Sequence, residues 1–186
     1  MNCRNHLKKD ELKTKRLILR KIKKSDAQHI FNNYANDEGV TKYLTWNVHE
    51  DVKVTEKIVD TWIEEEKDPQ TIRYVITLND IDEPIGMIDV VNIYDNIPEI
   101  GYCLSRKIWN KGYMTEACNE FLKYLFDIGF KEVRIGAVEQ NIGSNRVIEK
   151  CGFKFVGKKI RQLSKIKTQK VTINRYKISK KDFYKN

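Results

Sequence analysis

The chain has 186 residues, of which 40% are hydrophobic and 33% are charged, and its net charge is +9. This length fits one folded domain with a substantial core, and this composition excludes an intrinsically disordered chain. No apolar run approaches the roughly 20 residues of a transmembrane helix, and residues 1–6 are not followed by the apolar stretch of a secretory signal. We therefore expect no membrane partner. Four scattered cysteines without a C-x-x-C pair indicate reduced thiols in a cytoplasmic protein.

The positive charge is concentrated at the two ends of the chain. Residues 1–24 carry ten basic and two acidic side chains, and residues 154–186 carry twelve basic and one acidic, whereas the segment between them has an excess of acids. Basic ends fit a nucleic acid, a ribosomal surface or a phosphate-bearing ligand, and they are equally typical of solvated lysines. Charge alone leaves these alternatives open.

The first quarter of the chain predicts one strand and two helices. Residues 15–22 read as a strand, and Ser25 is the expected N-cap of an amphipathic segment in which apolar residues recur at helical spacing. A second amphipathic helix is expected over about residues 51–67.

From Thr71 the hydrophobic period changes from 3.6 to 2. We expect a half-buried strand over 72–78, a partner strand over 85–93, and a third extended segment over 99–104, with Asn96 and Pro98 marking a turn. These segments predict an antiparallel meander.

The clearest helix covers residues 112–128. From Met114 onward its apolar residues fall at helical offsets, and Gly129 follows where a C-terminal glycine belongs. A strand is expected over 133–137, then a short helix from Asn141 to Lys150 that Asn141 caps and Gly152 closes. Two closing strands are expected, over 153–159 and 170–178.

The junction between the third strand and this long helix is a candidate anion site. The strand ends at Leu104, a polar loop follows, and the helix begins at Gly112. The first N–H groups of a helix lack internal partners and lie at the positive end of its dipole. Phosphate or pyrophosphate is therefore the natural ligand.

Three ordered motifs carry a family resemblance. The stretches 99–104 and 109–117 resemble the acetyl-CoA-binding signature of the GNAT N-acetyltransferases, and 141–153 is similar to that superfamily's following N-x-x-S…G-F motif. Thr14–Arg20 with Asp26 and Ala27 is similar to the opening of the RimJ/RimL branch, the ribosomal-protein alanine or serine acetyltransferases. The resemblance covers about residues 14–178 of a single domain. It implies a mixed, mostly antiparallel sheet of six to seven strands flanked by about four helices.

Two residues depart from the family's loop, which prefers Gly before Lys and Ala after the aromatic residue. This chain has Asn110 and Met114 at those positions. Asparagine adopts the left-handed backbone at modest cost. Met114 falls on the apolar stripe of the helix, so its side chain is expected in the core and its N–H toward the ligand.

The resemblance implies acetyl-CoA as co-substrate and a set of residues that hold it. The backbone N–H groups of one loop would bind the pyrophosphate, and Lys107, Lys111 or Arg146 would meet the adenosine phosphates. The backbone around Cys103 and Leu104 would bind the pantetheine arm and polarise the thioester carbonyl. Asn141 matches the residue that bonds the pantetheine, and Asn145 lies one turn further on. The loop residues are Asn110, Lys111, Gly112, Tyr113, Met114 and Thr115.

The resemblance also implies direct transfer to an amine, with Glu99 as candidate base and Ser144 as candidate acid at the leaving thiolate. Strand alternation places Glu99, Gly101 and Cys103 on one face. A solvated strand carboxylate and a helix-start capping residue are the structural alternatives for these two candidates.

The acceptor class follows from amine pKa values. An α-amino group titrates near 7.7–8.0 and a lysine amine near 10.4, so one carboxylate base suits the α-amine of a protein N-terminus. In agreement with the RimJ/RimL likeness, that protein is expected to be ribosomal. A small amine such as a polyamine or an aminoglycoside remains an alternative.

Other chemistries find little support in the sequence. The three histidines share no metal-ligand spacing, so no metal is expected, and Cys103 and Cys151 lack a nearby histidine that would make them nucleophiles. Two non-enzymatic alternatives stay open, a ribosome- or nucleic-acid-binding module and an acetyl-CoA-binding regulator. The acceptor pocket is expected to draw on Tyr43, Trp46, Glu50 and Trp62, although core packing explains them equally well.

Overall fold

A computed structural model describes residues 9–162 and 170–185. Within them, eight strands form one sheet in the order β1-β2-β3-β4-β5-β6-β8-β7. The strands are Glu11–Lys13 (β1), Leu17–Arg20 (β2), Arg73–Leu78 (β3), Ile81–Tyr94 (β4), Ile97–Leu104 (β5), Glu132–Val138 (β6), Lys154–Gln162 (β7) and Lys170–Ser179 (β8).

Six α-helices accompany the sheet in the described part of the chain: Asp26–Ile30 (α1), Glu38–Thr41 (α2), Val52–Glu65 (α3), Tyr113–Asp127 (α4), Ile142–Lys150 (α5) and Lys180–Phe183 (α6). A π-helical turn, Phe31–Ala35, continues α1, and a 3-10 turn, Arg106–Ile108, precedes α4. None of these helices is long and apolar enough to cross a membrane.

One pair of neighbouring strands in the sheet is parallel, and it positions the site. Strands β5 and β6 are connected through α4 and pair only at Glu99 with Arg134 and at Ile100 with Ile135, as far as the structure describes the chain. The other neighbours are antiparallel. Beyond Ile100 and Ile135 the two parallel strands continue without pairing, which leaves a gap inside the sheet.

Two hydrophobic cores lie on opposite faces of the sheet. On one face, α4 buries Phe121 and Leu125 against strand residues that include Ile100 and Ile135. On the other face, α1, the π-helical turn and α3 pack over Val75, Met87 and Cys103. The strands in the middle of the sheet are therefore covered on both sides.

Because helices cover both faces of the central strands, the prediction of a half-buried strand over 72–78 is wrong. Strand β3 was expected to be half-buried, but Tyr74, Val75, Ile76 and Thr77 are all buried. The alternating apolar residues in the sequence indicated one solvent-exposed face, whereas α1 and α3 cover the face that carries Val75 and Thr77.

The start of the sheet differs from the prediction as well. The strand predicted over 15–22 is observed as β2, and β1 precedes it, so the described sheet has eight strands instead of six to seven. Only Leu12 of β1 is buried, and a strand of three residues gives no periodic signal. Farther along, Asn96 lies in the predicted turn with a left-handed φ of 63°, but Pro98 belongs to β5.

The expected cap at Ser25 is wrong, because its side chain makes no capping hydrogen bond. Instead the Asp26 carboxylate accepts the Lys23 N–H at 2.8 Å and two 2.8 Å hydrogen bonds from the Arg20 guanidinium. Arg20 and Asp26 are both buried, so this charged pair fixes the start of α1.

The two helices near the sheet gap match their predictions. Helix α4 begins after Gly112, whose φ is 78°, and ends before Gly129, whose φ is 108°. Helix α5 begins after Asn141, whose side-chain oxygen accepts the Ser144 N–H at 3.1 Å. Gly152, with φ of 82°, closes α5.

Candidate active site

A cavity of about 620 Å³ lies where β5 and β6 separate. Its walls come from the end of β5, the first turn of α4, the loop into α5 with the α5 helix itself, and the segment 39–44 around α2. Among the described residues that line it, Lys42, Arg146 and Lys150 are basic and none is acidic. The cavity therefore suits an anionic ligand of substantial size.

The first turn of α4 presents backbone N–H groups to this cavity. Gly112 has no side chain to cap the helix, and the first intrahelical bond runs from the Glu116 N–H to the Gly112 oxygen at 3.1 Å. The preceding N–H groups, of Tyr113, Met114 and Thr115, are the ones that an α-helix leaves without internal partners. All three residues line the cavity, and we call this helix N-terminus the candidate anion cradle.

The two departures from the family loop are accommodated as expected. Asn110 adopts a left-handed φ of 62°, the backbone that glycine would supply. The Met114 side chain is buried in the α4 core. Lys111, which was expected in the phosphate-binding loop, does not line the cavity. Its carbonyl accepts a hydrogen bond from Arg16 Nη1 at 3.0 Å.

Glu116 ties the N-terminal segment to this cradle. Its carboxylate accepts hydrogen bonds from Thr14 Oγ1 at 2.6 Å, the Arg16 N–H at 2.9 Å and Arg16 Nε at 2.6 Å. Burial alone would raise the pKa of this carboxyl, but these hydrogen bonds outweigh it and hold the pKa below its ordinary value. The Arg16 guanidinium also stacks on the Tyr113 ring at 4.3 Å.

This network was missed in the sequence because its members are about 100 residues apart. Thr14 and Arg16 belong to the segment that resembles the RimJ/RimL opening, which is the one signal that could have drawn attention to them. Their contacts place this segment against the loop before α4 and its first residue, Tyr113.

The end of β5 directs the backbone N–H of Leu104 toward the sheet gap. The Ser105 N–H bonds the Ile85 oxygen of β4 at 2.7 Å, so by strand alternation the peptide groups of Leu104 point away from β4. The Leu104 oxygen accepts Trp109 Nε1–H at 2.8 Å. The Leu104 N–H is thus directed to the gap, whereas the carbonyl is occupied.

Cys103 also lines the cavity, but its side chain enters the second core. Burial raises the pKa of its thiol to about 12, and the nearby Asp89 adds to this effect. Cys103, Cys118 and Cys151 are free, buried thiols, and Cys3 lies outside the described residues. A neutral thiol at neutral pH is a poor nucleophile.

Ser144 lies in the first turn of α5 and faces the cavity. Its Oγ is 3.0 Å from the hydroxyl of Tyr102, which also donates to the Ser144 carbonyl at 3.1 Å. Burial raises the pKa of Tyr102 far above its ordinary value, so this phenol keeps its proton. The protonated Tyr102 hydroxyl is therefore a hydrogen-bonding partner of Ser144 Oγ.

Asn145 was expected to contact the cofactor, but it does not line the cavity. Its amide nitrogen donates to the Val138 and Asn141 oxygens at 2.9 and 2.8 Å. Its oxygen accepts from Tyr176 Oη at 2.7 Å and Asn174 Nδ2 at 3.0 Å. This buried side chain links α5 to β6 and β8, and position alone does not distinguish it from Asn141, one turn earlier, which does line the cavity.

Glu99 lies at the point where β5 and β6 part. It is half-buried, on the face opposite α4, and it does not line the cavity. Its Oε1 is 3.7 Å from the position that a Cβ on Gly136 would take. The predicted base and the predicted anion cradle thus lie on two sides of the same gap.

Among the other candidates for the pocket, only Tyr43 lines the cavity. Trp46 and Trp62 pack against the second core, and Glu50 is exposed. The contribution of the other residues of 39–44 was missed, because a four-residue helix gives no periodic signal. No group of three His, Cys, Asp or Glu residues suited to a metal ion occurs in the described ranges.

Comparisons with known proteins agree with this architecture. The chain matches the family described as acetyltransferase (GNAT) domain over residues 16–154. The uncharacterized N-acetyltransferase YoaA of Bacillus subtilis (strain 168) is 34% identical over 151 residues, which cover 78% of this chain and 84% of YoaA.

Two solved structures share the fold. The ribosomal-protein-S5-alanine acetyltransferase from Vibrio fischeri has a TM-score of 0.79 at 19% identity, with 93% of this chain and 98% of that chain covered. The microcin C7 self-immunity acetyltransferase MccE, solved with acetyl-CoA and AMP, has a TM-score of 0.77 at 19% identity, with 89% and 93% covered.

The chain therefore belongs to the GNAT acetyltransferase family, and it is an N-acetyltransferase. Acetyl-CoA is the acetyl donor of this family. The mixed, mostly antiparallel fold that the resemblance implied is confirmed, and ribosomal-protein acetyltransferases are among the structural neighbours, consistent with the RimJ/RimL-like motifs.

Proposed function

We propose that this acetyltransferase moves an acetyl group directly from acetyl-CoA to the N-terminal α-amine of a protein, with a ribosomal protein as the acceptor. The observation that carries the proposal is the gap between β5 and β6, which has an uncapped helix N-terminus on one side and Glu99 on the other. Such a gap admits a donor from one face of the sheet and an acceptor from the other.

The donor fits the cavity by charge and by hydrogen-bonding capacity. The N–H groups of Tyr113, Met114 and Thr115 would hold the pyrophosphate, in a lining that carries three basic residues. Lys42, Arg146 and Lys150 would meet the remaining phosphate charge. Asn141 and the Leu104 N–H would bind the pantetheine arm, and that N–H would polarise the thioester carbonyl.

In the transfer, the amine nitrogen bonds the acetyl carbon and the carbon–sulfur bond breaks, so one group must take the amine proton and another must stabilise the departing thiolate. Acetyl-CoA supplies the activated acetyl as a thioester. Glu99 would accept the proton of the amine, directly or through one water, and Ser144 would donate a hydrogen bond to the departing sulfur. Tyr102, whose hydroxyl lies 3.0 Å from Ser144 Oγ, would donate its proton to that oxygen during transfer, which leaves the Ser144 proton free to point at the sulfur. Holding both reactants in one gap supplies much of the remaining rate.

An α-amine is favoured as acceptor because it loses its proton more readily than an alkyl amine. At pH 7 deprotonation costs about 1 kcal/mol for an α-amine and about 4–5 kcal/mol for a lysine-like amine. A single half-buried carboxylate suits the smaller cost. The ribosomal assignment is supported by the RimJ/RimL-like motifs, whereas the Vibrio fischeri structure, at 19% identity, supports the fold.

The proposal is tested by following free thiol release from acetyl-CoA with a panel of acceptors. The panel contains ribosomal-protein N-terminal peptides, the same peptides with blocked α-amines, spermidine and an aminoglycoside. We expect turnover with free N-termini and none with blocked ones. Turnover with spermidine or the aminoglycoside alone would show a small-amine enzyme, and no turnover with any amine would contradict the proposal.

A further inference from the structure

We infer that the acceptor is a peptide with acidic residues close to its N-terminus, recognised by basic side chains on the sheet face that carries Glu99. The inference rests on the proposed function, because it concerns the acceptor of the same reaction. It adds a specificity that neither the family nor the motifs assign.

Strand register defines this face. Glu99 of β5 pairs with Arg134 of β6, which lies opposite Lys177 of β8. Two residues farther along β6, Gly136 lies opposite Arg175. The alternate residues Ile100, Ile135 and Tyr176 enter the α4 core. The residues between them in each strand, which include Glu99, Arg134 and Arg175, therefore lie on the opposite face of the sheet. We call the set the acceptor face: Glu99, Arg134, Gly136, Lys159, Arg175 and Lys177.

On the acceptor face, Arg175 is bordered by glycines on both neighbouring strands. Gly136 of β6 lies between Glu99 and Arg175, and Gly157 of β7 lies on the other side of Arg175. The residues paired with this arginine on both neighbouring strands therefore have no side chain. A Cβ on Gly136 would lie 3.0 Å from Ile173 Cγ2 and 3.7 Å from Glu99 Oε1, so a larger residue would crowd both side chains. A peptide on this face would pass over Gly136, beside the Ile173 side chain.

The charges on the acceptor face favour an anion beyond Glu99. Arg134 and Lys177 share the single carboxylate of Glu132, at 3.1 and 3.0 Å, so one of their two positive charges is balanced. Arg175 and Lys159 are exposed, and neither forms an ion pair in the described part of the chain. The free positive charge of this face therefore lies on the side of β8 and β7.

The distances fit a short acidic segment. Neighbouring strands are about 4.8 Å apart, so Glu99 and Arg175, two strands apart, are separated by on the order of 10 Å. An extended peptide advances about 3.3 Å per residue, so an amine at Glu99 places the second or third side chain near Arg175. A carboxylate there meets an opposite charge, whereas a basic peptide or a polyamine meets a like charge.

The test uses three peptides that differ only at residues 2 and 3, which are Asp-Asp, Gln-Gln or Lys-Lys, with spermidine as a fourth acceptor. We expect kcat/KM to fall in the order acidic, neutral, basic, with at least a tenfold difference between the ends and a smaller difference at high salt. Arg175→Glu should reverse the order. Lys170→Glu makes the same charge change on the opposite face of the same strand and should preserve it.

The outcomes separate this inference from the proposed function. Equal rates for the three peptides, preference for the basic peptide or spermidine, or the same effect of both variants would overturn the inference, although transfer persists. A folded protein that binds coenzyme A and acetylates no amine would contradict the proposed function instead. Thermal unfolding of both variants shows whether a loss of rate reflects a loss of structure.

Discussion

In the proposed reaction Glu99 acts on the amine and not on the donor, because it lies outside the cavity and across the gap from α4. Glu99→Gln should therefore lower kcat at pH 7 by roughly a hundredfold or more, the usual effect of losing a general base, and leave the KM for acetyl-CoA unchanged. Glu83→Gln, an exposed carboxylate of β4, is the control. Unchanged kcat in the Glu99 variant would exclude it as the base.

Asn145 is a structural residue, and its loss should be seen in stability. Asn145→Ala leaves the Val138 and Asn141 oxygens and the Tyr176 hydroxyl without this partner. We expect the free energy of unfolding to fall by about 2–4 kcal/mol in urea denaturation. Exposed Asn47→Ala should change it by less than about 0.5 kcal/mol.

The functional consequence of Asn145→Ala separates the two roles considered for this residue. Because the side chain does not line the cavity, the folded variant should bind coenzyme A with nearly the wild-type affinity. A large loss of coenzyme A affinity without a loss of folding stability would show that Asn145 belongs to the cofactor site.

Single residues were predictable where local backbone or helical phase decides their role. Asn110 in the left-handed region and Met114 in the core follow from the loop and the apolar stripe. The partners of Asn145 and the Arg16–Glu116 link could not be predicted, because they join segments far apart in sequence.

At the scale of elements, α4 has a left-handed glycine at each end, and only one of them lies at the cavity. An alanine at either position is strained by about 1–2 kcal/mol. Gly112→Ala should weaken coenzyme A binding as well as stability, because it shifts the first N–H groups of the helix. Gly129→Ala, where a Cβ meets nothing within 4 Å, should lower stability alone.

Calorimetric titration of both glycine variants with coenzyme A checks this prediction. We expect at least a tenfold increase in Kd for Gly112→Ala and less than a twofold change for Gly129→Ala. Equal affinities of the two variants would show that the backbone at the α4 N-terminus does not hold the ligand.

Elements with strong hydrophobic periodicity were predicted well, whereas elements whose burial depends on packing against distant segments were not. Helices α4 and α5 were recognised from apolar spacing and their terminal residues. Strand β3 has an alternating sequence but is covered on both faces, and β1 is too short to carry a pattern. The cover of a strand depends on other segments, which its own sequence does not describe.

At the scale of the whole molecule, charge and topology act together. The acid-rich middle of the chain nevertheless builds a cavity whose described lining is basic, because the acidic side chains of residues 25–153 lie elsewhere. The parallel pair β5–β6 opens the sheet beside this cavity. The motifs indicated the donor side, whereas the acceptor face emerges only from the register of four strands.

The central claim is that the backbone at the start of α4 binds the pyrophosphate of coenzyme A. A crystal structure of the protein with coenzyme A tests it most directly. We predict pyrophosphate oxygens within about 3 Å of the N–H groups of Tyr113, Met114 and Thr115. A pyrophosphate bound elsewhere, with these three groups facing only solvent, would contradict the claim.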